Sequence, residues 1–220
     1  MLILNNQESV VEISETNFLN NIKRTLRESS DNLRIRTNIK FVIEGEGAVG
    51  KTTLVQRYLG RPFCAQYLVT LGVQTSVVNV NLAPLIGIEK IINLQLWDLA
   101  GQPQFKQVLR PFFRGTDIAI IVGDLSRLST FEPIVNWITE TNKHNMKKTP
   151  FLLVGSKFDL IESSRVSIKT LIKEQLLRIK DFTRKDFNEL LFIETSAKKD
   201  LNIIKVFQIA LLKNILANNR

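Results

Sequence analysis

The segment from residue 45 to residue 53, GEGAVGKTT, constrains this chain more strongly than any other feature of its sequence. An apolar run at residues 39–44 precedes it, and LVQRYLG at residues 54–60 follows it. The apolar spacing on both sides predicts a strand, a tight loop and a helix that ends at Gly60. The segment fits the pattern G-x-x-x-x-G-K-[ST] at every fixed position. A loop of this pattern between a strand and a helix is typical of phosphate binding.

The residue types in this loop suit an anionic ligand. Its glycines let the backbone turn N–H groups inward without a Cβ in the way, and the following helix directs its positive end at the same anion. Lys51 is expected to reach the terminal phosphates, and the Thr52 hydroxyl is expected to ligate magnesium. The predicted phosphate-binding residues are Gly45, Glu46, Gly47, Ala48, Val49, Gly50, Lys51, Thr52 and Thr53.

Composition excludes several other classes of protein. The chain has 220 residues, of which 44% are apolar and 23% charged, and this suits one α/β domain with an appendage. Cys64 is the only cysteine, so neither a disulfide framework nor a thiolate metal cluster is expected. Membrane-span and signal-peptide patterns are lacking, which predicts a cytoplasmic protein. The ending ANNR and the residue Leu2 argue against prenylation and N-myristoylation, so no lipid anchor is expected.

Residues 1–38 precede the first predicted strand and form an N-terminal extension to a domain at residues 39–220. Phe18, Leu19, Ile22 and Leu26 have helical spacing, which predicts one amphipathic helix. The charges of the extension balance, whereas a helix that binds a membrane surface carries a basic excess. The helix is therefore expected to dock on its own domain, and a partner-binding arm is the alternative.

The rest of the chain alternates strands and helices. This alternation predicts an α/β fold of three layers, the phosphate-loop NTPase fold, with a mainly parallel six-stranded sheet and helices on both faces. Strands are predicted at residues 39–44, 73–82, 90–97, 117–123, 151–155 and 190–194, and further helices at residues 129–142, 167–181 and 201–216. Asp98 follows one of these strands at the carboxyl edge of the sheet. An acidic residue in that place is expected to hold magnesium.

Five short motifs follow one another in a set order. GEGAVGKT is followed by VTLGV at residues 69–73, WDLAGQ at residues 97–102, GSKFD at residues 155–159 and ETSAK at residues 194–198. In these motifs and their spacing, residues 39–216 resemble the small GTPases of the Ras superfamily, with a Rab-like character. The resemblance implies a switch that binds GTP or GDP with Mg²⁺ and hydrolyses GTP slowly.

The resemblance also implies a role for each matching residue. Gln102 would orient the attacking water, with Lys51 and Thr70 completing the catalytic group. Gly101 would donate its N–H to the γ-phosphate. The implied magnesium ligands are Thr52, Thr70 and Asp98, and the implied residues around the guanine base are Phe63, Ser156, Lys157, Asp159, Ser196, Ala197 and Lys198. An effector, an exchange factor and an activating protein that supplies an arginine in trans are the implied partners.

The chain departs from the family pattern at a few positions. Ser156 stands where the family usually has asparagine, a residue that ties the base-binding loop to the phosphate loop; septum-promoting relatives have threonine there. Ala48 replaces a residue that is often glycine, and Pro103 stiffens the second switch because its φ is fixed. The interval between Asp159 and Ser196 is longer than in compact members.

Three other functions compete with a GTPase switch. A nucleotide-locked scaffold would keep the fold without useful hydrolysis, and Ser156 and Pro103 keep that alternative open. A nucleic-acid-binding protein is suggested by the formal net charge of +9, but no interleaving of basic and aromatic residues supports it. An ATPase or kinase is disfavoured by Asp159 and by the SAK sequence at residues 196–198.

Most of the positive charge lies in one part of the chain. Residues 143–185 hold eleven Lys or Arg against four acids, which accounts for +7 of the net charge. Helical spacing places Arg165, Lys169, Lys173 and Lys180 on one strip of a helix. Lys143, Lys147 and Lys148 precede a strand, at the sheet edge opposite the phosphate loop, so the two groups are expected to form one basic patch. Such a patch either aids solubility or makes a weak contact with an anionic membrane or an acidic protein.

Overall fold

A mainly parallel sheet forms the centre of the molecule. The computed structural model describes residues 2–4, 10–12, 20, 22–26, 33–66, 69–145, 148–183 and 190–219. Six strands form the part of the sheet that the sequence predicted: β3 Asn38–Glu44, β4 Val73–Asn81, β5 Ile91–Leu99, β6 Ile118–Asp124, β7 Phe151–Ser156 and β8 Leu190–Glu194. They are parallel except for β4, which runs antiparallel to β5 at one edge. The predicted α/β architecture is confirmed.

Two further strands come from the N-terminal extension. β1 (Leu2–Leu4) pairs antiparallel with β8, and β2 (Val10–Glu12) pairs antiparallel with β1. Among the described residues, the sheet therefore has eight strands in the order β2-β1-β8-β7-β6-β3-β5-β4, where the sequence predicted six. Each added strand has three residues, which is too short for an alternating pattern to appear in the sequence.

Helices cover both faces of the sheet. Besides the helical residues 22–26 of the extension, the described α-helices are α1 Lys51–Tyr58, α2 Ala83–Ile86, α3 Lys106–Leu109, α4 Ile134–Asn145, α5 Arg165–Thr183 and α6 Ile203–Ala217. Short 3-10 helices lie at Pro103–Phe105, Arg110–Phe113, Leu128–Phe131, Phe158–Leu160 and Glu162–Ser164. The helix predicted at residues 129–142 begins later, at Ile134, because a 3-10 turn and Pro133 precede it. In the described part of the chain, no helix is long and apolar enough to cross a membrane.

Strand β3 shows how the sheet separates two hydrophobic cores. Phe41 and Ile43 lie in a cluster with residues of α1 and α6, whereas Val42 lies in a second cluster with residues of α4 and α5. Successive side chains of a strand point to opposite faces of the sheet. A strand buried on both faces therefore reads as a continuous apolar run, and this run leads directly into the glycine-rich loop.

The extension contributes to the first of these cores. Residues 22–26 are helical, and the side chains of Ile22 and Leu26 are buried in the cluster that contains Leu54 and Val55 of α1. Phe18 and Leu19, which belong to the predicted amphipathic helix, lie outside the described residues. Farther along, the Arg34 N–H donates to the Asn219 side chain at 2.7 Å. The extension thus packs against the domain at several points.

The predicted basic patch is wrong in one of its members. Lys180 is only 6% exposed, because its position on α5 adjoins the buried stripe of Ile172, Leu176 and Ile179. Lys143, Lys148 and Lys173 are exposed. The Lys147, Arg165 and Lys169 side chains lie outside the described part of the structure.

Leu26 offers a test of how firmly the extension is joined to the domain. Replacing Leu26, which is 1% exposed, by Ala is expected to lower the free energy of unfolding by about 2–5 kcal/mol, because it leaves a cavity in a shared core. Urea denaturation of the full chain measures the change, and Asn20→Ala, at an exposed position, is the control. Equal stabilities of the two variants would contradict this packing.

Candidate functional site

The loop between β3 and α1 has the backbone of an anion-binding site. Gly45 and Gly50 have φ of 138° and 96°, a region open to glycine and strained for other residues. A Cβ on Gly45 would lie 2.3 Å from the carbonyl oxygen of Val122 on β6, so no other residue fits there. Ala48 adopts φ of 60°, a left-handed conformation that is uncommon for a residue with a side chain.

Lys51, the first residue of α1, folds back over this loop. Its Nζ donates to the carbonyl oxygens of Gly45 at 2.9 Å and Glu46 at 2.7 Å. Burial lowers the pKa of Lys51 to about 8, against the opposing effect of the Asp98, Glu46 and Glu44 carboxylates. The ammonium group therefore lies inside the loop, where an incoming phosphate would meet it.

Three oxygen-bearing side chains meet beside Lys51. The Thr52 hydroxyl donates to Asp98 Oδ2 at 2.5 Å and lies 2.8 Å from the Thr70 hydroxyl. Burial raises the pKa of Asp98 to about 6, despite the Thr52 hydrogen bond and the charge of Lys51. Asp98 Oδ1 is buried and has no hydrogen-bond partner among the described residues. Hydroxyl and carboxylate oxygens are the ligands that Mg²⁺ prefers, so this group fits the metal that the sequence predicted.

The segment after Asp98 packs directly on the phosphate loop. A Cβ on Gly101 would lie 2.4 Å from the carbonyl oxygens of Gly45 and Glu46, so only glycine allows this approach. The Ala100 N–H donates to the carbonyl of Gly72 at 2.8 Å. This bond joins the segment of Asp98 to the segment that carries Thr70.

Gln102 lies over the loop next to Gly47. A Cβ built on Gly47 would lie 3.5 Å from Gln102 Cγ. The side-chain oxygen Oε1 of Gln102 accepts a hydrogen bond from Gln104 Nε2 at 2.5 Å, and Pro103, the residue between these two glutamines, opens a 3-10 turn. Gln104 was not predicted, since one glutamine near another carries no recognisable pattern.

Two of the residues predicted to lie around a base, Asp159 and Ser196, come together beyond the ends of β7 and β8. Ser196 donates from its hydroxyl to Asp159 Oδ1 at 2.6 Å, which fixes the orientation of that carboxylate. Ala197 is partly buried and Lys198 is exposed in the turn after β8. Phe63 lies in an irregular segment, where its ring is 40% exposed.

Ser156 keeps a connection between the base-reading loop and the phosphate loop. Its Oγ lies 2.5 Å from the Val49 carbonyl oxygen and 3.0 Å from that of Gly123. A hydroxyl has one proton and donates to one of these oxygens at a time. Lys157 makes a second connection, because its Nζ donates to the Ala48 carbonyl at 2.8 Å.

Two acidic residues of the site were missed by the sequence analysis. Asp124 ends β6 and accepts from Lys157 Nζ at 2.7 Å. Glu44 is fully buried at the end of β3, where it accepts from the Thr141 hydroxyl of α4 at 2.7 Å. Both acids follow apolar strand residues, as Asp98 does. That position at the carboxyl end of a strand could have marked them as residues of the site.

The fold and this site define a phosphate-loop protein whose glycine-rich loop lies at the carboxyl edge of its sheet. The comparisons with known proteins give the family: the chain belongs to the Ras family, whose model matches residues 40–217. It is 33% identical to the Ras-related protein Rab-2B of Dictyostelium discoideum over 77% of this chain and 76% of that protein.

Two further relatives show the same relationship. The Ras-related protein RABG3b of Arabidopsis thaliana is 31% identical over 85% of this chain and 88% of that protein. The Ypt/Rab-type GTPase ypt7 of Schizosaccharomyces pombe is 31% identical over 77% and 78% of the two chains. The predicted resemblance is confirmed, and the chain is a Rab-like small GTPase that acts as a GTP-binding switch.

Burial of Glu44 predicts a pH dependence of stability. Burial raises the pKa of Glu44 from 4.5 to about 8, outweighing the Thr141 hydrogen bond and the charge of Lys51. Between these pH values the folded state binds the proton and the unfolded state does not, so stability from this group falls as pH rises, by about 1.4 kcal/mol per pH unit at most.

Glu44→Gln removes this titration. Its free energy of unfolding relative to wild type is therefore expected to increase steadily from pH 5 to pH 8, as measured by urea denaturation at each pH. Glu132→Gln, which replaces an exposed carboxylate, serves as the control. A difference between Glu44→Gln and wild type that stays constant over this range would contradict a buried, protonated Glu44.

Proposed function

We propose that this Ras-family chain is a guanine-nucleotide switch that binds GTP and GDP with magnesium and hydrolyses GTP slowly. The observation that carries the proposal is the convergence of the phosphate loop, Lys51, Thr52, Thr70 and Asp98 at one edge of the sheet. Thr70 and Asp98 come from segments far apart in the sequence, and their oxygens lie within hydrogen-bond distance of Thr52. Such a group suits a metal beside a polyphosphate.

Magnesium would be held by Thr52, Thr70 and Asp98. The unpartnered Asp98 Oδ1 supports this assignment, because a buried carboxylate oxygen is costly unless a cation or a donor satisfies it. When bound, the metal would neutralise the negative charge of the phosphate oxygens. Thr52 and Asp98 need little rearrangement to receive it, since their oxygens already face each other.

Hydrolysis would rest on the placement of Gln102 and on the room beside Gly47. Gln102 orients the attacking water, and the missing Cβ of Gly47 leaves space for that water and for an arginine from an activating protein. Arg127 is already engaged with Asp124 and the Gly47 carbonyl. Intrinsic turnover is therefore slow, and an arginine supplied in trans raises it by about 10³- to 10⁵-fold.

Switching would follow from the loops that carry Thr70 and Gly101. Both lie against the phosphate loop, and the Ala100–Gly72 hydrogen bond joins them. A γ-phosphate would order them together, and its loss would release them. An effector would recognise the ordered state, and an exchange factor would open the site for release of GDP. The exposed Lys143, Lys148 and Lys173 would add a weak contact with an anionic surface.

Guanine selection is assigned to Asp159. Its carboxylate would accept from the ring N–H and the exocyclic amine of guanine, a pair of donors that adenine lacks. GTP is therefore expected to displace labelled GDP from the wild-type chain far better than ATP. Asp159→Asn is expected to lose affinity for GDP by roughly a hundredfold or more, and to gain affinity for xanthosine diphosphate.

Asp181→Asn, at an exposed position on α5, is the matched control for these competition measurements. Equal competition by ATP and GTP for the wild-type site would contradict guanine specificity. An unchanged ratio of GDP to xanthosine diphosphate affinity in Asp159→Asn would remove Asp159 from the assignment.

Gln102→Leu tests the hydrolytic step. We expect its single-turnover rate of phosphate release to fall by roughly ten- to a hundredfold, because a misplaced nucleophile costs about that much. Nucleotide affinity should stay near that of the wild type. Gln107→Leu, at an exposed position of α3, is the control and should hydrolyse GTP at the wild-type rate. Identical rates in wild type and Gln102→Leu would show that another group positions the water.

A further inference from the structure

Three consecutive backbone carbonyl oxygens of the phosphate loop each lie within hydrogen-bond distance of a side chain. These side chains come from residues just beyond, or at, the ends of neighbouring strands. The Gly47 oxygen accepts from Arg127 Nη2 at 3.1 Å, and the Ala48 oxygen accepts from Lys157 Nζ at 2.8 Å. The Val49 oxygen lies 2.5 Å from the Ser156 hydroxyl. Lys157 and Ser156 belong to the motif that the sequence analysis singled out, whereas Arg127 belongs to no motif.

Asp124 joins two of these donors. Its Oδ2 accepts from Arg127 Nε at 2.9 Å and from Lys157 Nζ at 2.7 Å. Its Oδ1 accepts from the backbone N–H of Ser126 at 3.0 Å and from the Ser126 hydroxyl at 2.6 Å. The residue is only 1% exposed. Burial raises the pKa of Asp124, but the hydrogen bonds from Lys157, Ser126 and Arg127 outweigh burial and lower it overall.

The backbone also holds Arg127 in place. The Arg127 N–H donates to the Asp124 carbonyl at 2.9 Å, and the two residues form an isolated antiparallel bridge. The guanidinium therefore starts from a fixed turn just after β6. One nitrogen contacts Asp124 and another contacts Gly47, which is possible because a guanidinium presents several donors in a rigid plane.

The two anchored peptide groups flank the strained residue of the loop. The Gly47 carbonyl belongs to the peptide bond before Ala48, and the Ala48 carbonyl to the peptide bond after it. Ala48 has φ of 60°, and such a conformation persists only where the surroundings hold it. Arg127 holds the first of these peptide groups and Lys157 holds the second, both through one buried carboxylate.

We propose that Arg127 is a positioning residue for nucleotide binding, which holds the Gly47–Ala48 peptide group in the orientation that phosphate recognition requires. In a planar trans peptide group the C=O and the N–H point in opposite directions. The guanidinium draws the Gly47 carbonyl outward, so the Ala48 N–H of the same peptide group turns inward. Arg127 would act through the loop and would not touch the nucleotide. This inference rests on the proposed binding of GDP and GTP.

The test compares ligands that differ in the phosphate that the loop holds. GDP carries the β-phosphate that such loops bind, and GMP lacks it. We expect Arg127→Ala to weaken GDP binding by about three- to tenfold, the range for one charge-assisted hydrogen bond that is partly exposed. GMP affinity, measured by competition on the same preparation, should stay unchanged. A partly unfolded variant would lose affinity for both ligands equally, and that result would overturn the proposal.

Arg127→Lys separates geometry from charge. A lysine keeps the positive charge but has one nitrogen in place of the planar guanidinium. The GDP affinity of Arg127→Lys should therefore stay closer to that of Arg127→Ala than to that of the wild type. Full recovery by lysine would overturn the role of the two-sided contact. Arg178→Ala, which removes an exposed arginine of α5, should bind both ligands as the wild type does.

The outcomes also separate this inference from the proposed function. If the wild-type chain fails to bind GDP, guanine-nucleotide binding itself is wrong. If the wild type binds GDP and Arg127→Ala binds it equally well, only the role of Arg127 is wrong.

Discussion

The rest of the structure depends on one backbone constraint: the loop between β3 and α1 passes through three residues with positive φ. Gly45 and Gly50 adopt the required positive φ, and Ala48 adopts it against the preference of a residue with a side chain. Such a loop does not hold its conformation alone. Strand β6 closes on it from one side at Gly45, and Gly101 packs on it from the other. The sheet therefore serves mainly to hold neighbouring strand ends at fixed distances from this loop.

The N-terminal extension packs against β8 and against α1, the helix that follows this loop. Strand β1 covers the edge of β8 that would otherwise present unpaired backbone groups, and Leu26 shares a core with Leu54 and Val55 of α1. Because α1 begins at the phosphate loop, the extension helps to hold the helix that supports Lys51 and Thr52. Its packing on α1 therefore has a consequence for the site, although its own residues lie away from it.

The sequence predicted most of the fold because strands buried on two faces are continuous apolar runs, as in β6 and β7. It missed β1 and β2, since three residues cannot show a period, and it misjudged Lys180 because helical spacing alone does not reveal which face is buried. Motif residues such as Asp98 and Asp159 could be predicted individually. Arg127 could not, because its role depends on a turn that brings it to a carbonyl 80 residues earlier in the chain.

Two buried carboxylates next to this loop each carry an oxygen without a partner in the described part of the chain, and function explains one of the two. Asp98 Oδ1 and Glu44 Oε1 are buried without a partner among the described residues, and each such group lowers stability. A magnesium ion would satisfy Asp98, so its cost is removed when the ligand binds. Glu44 is held by Thr141 of α4. Its burial raises its pKa to about 8, so the neutral acid is the form that suits this position. Protonation thus does for Glu44 what the proposed metal would do for Asp98: it allows a buried acid to lie next to the loop without an uncompensated charge.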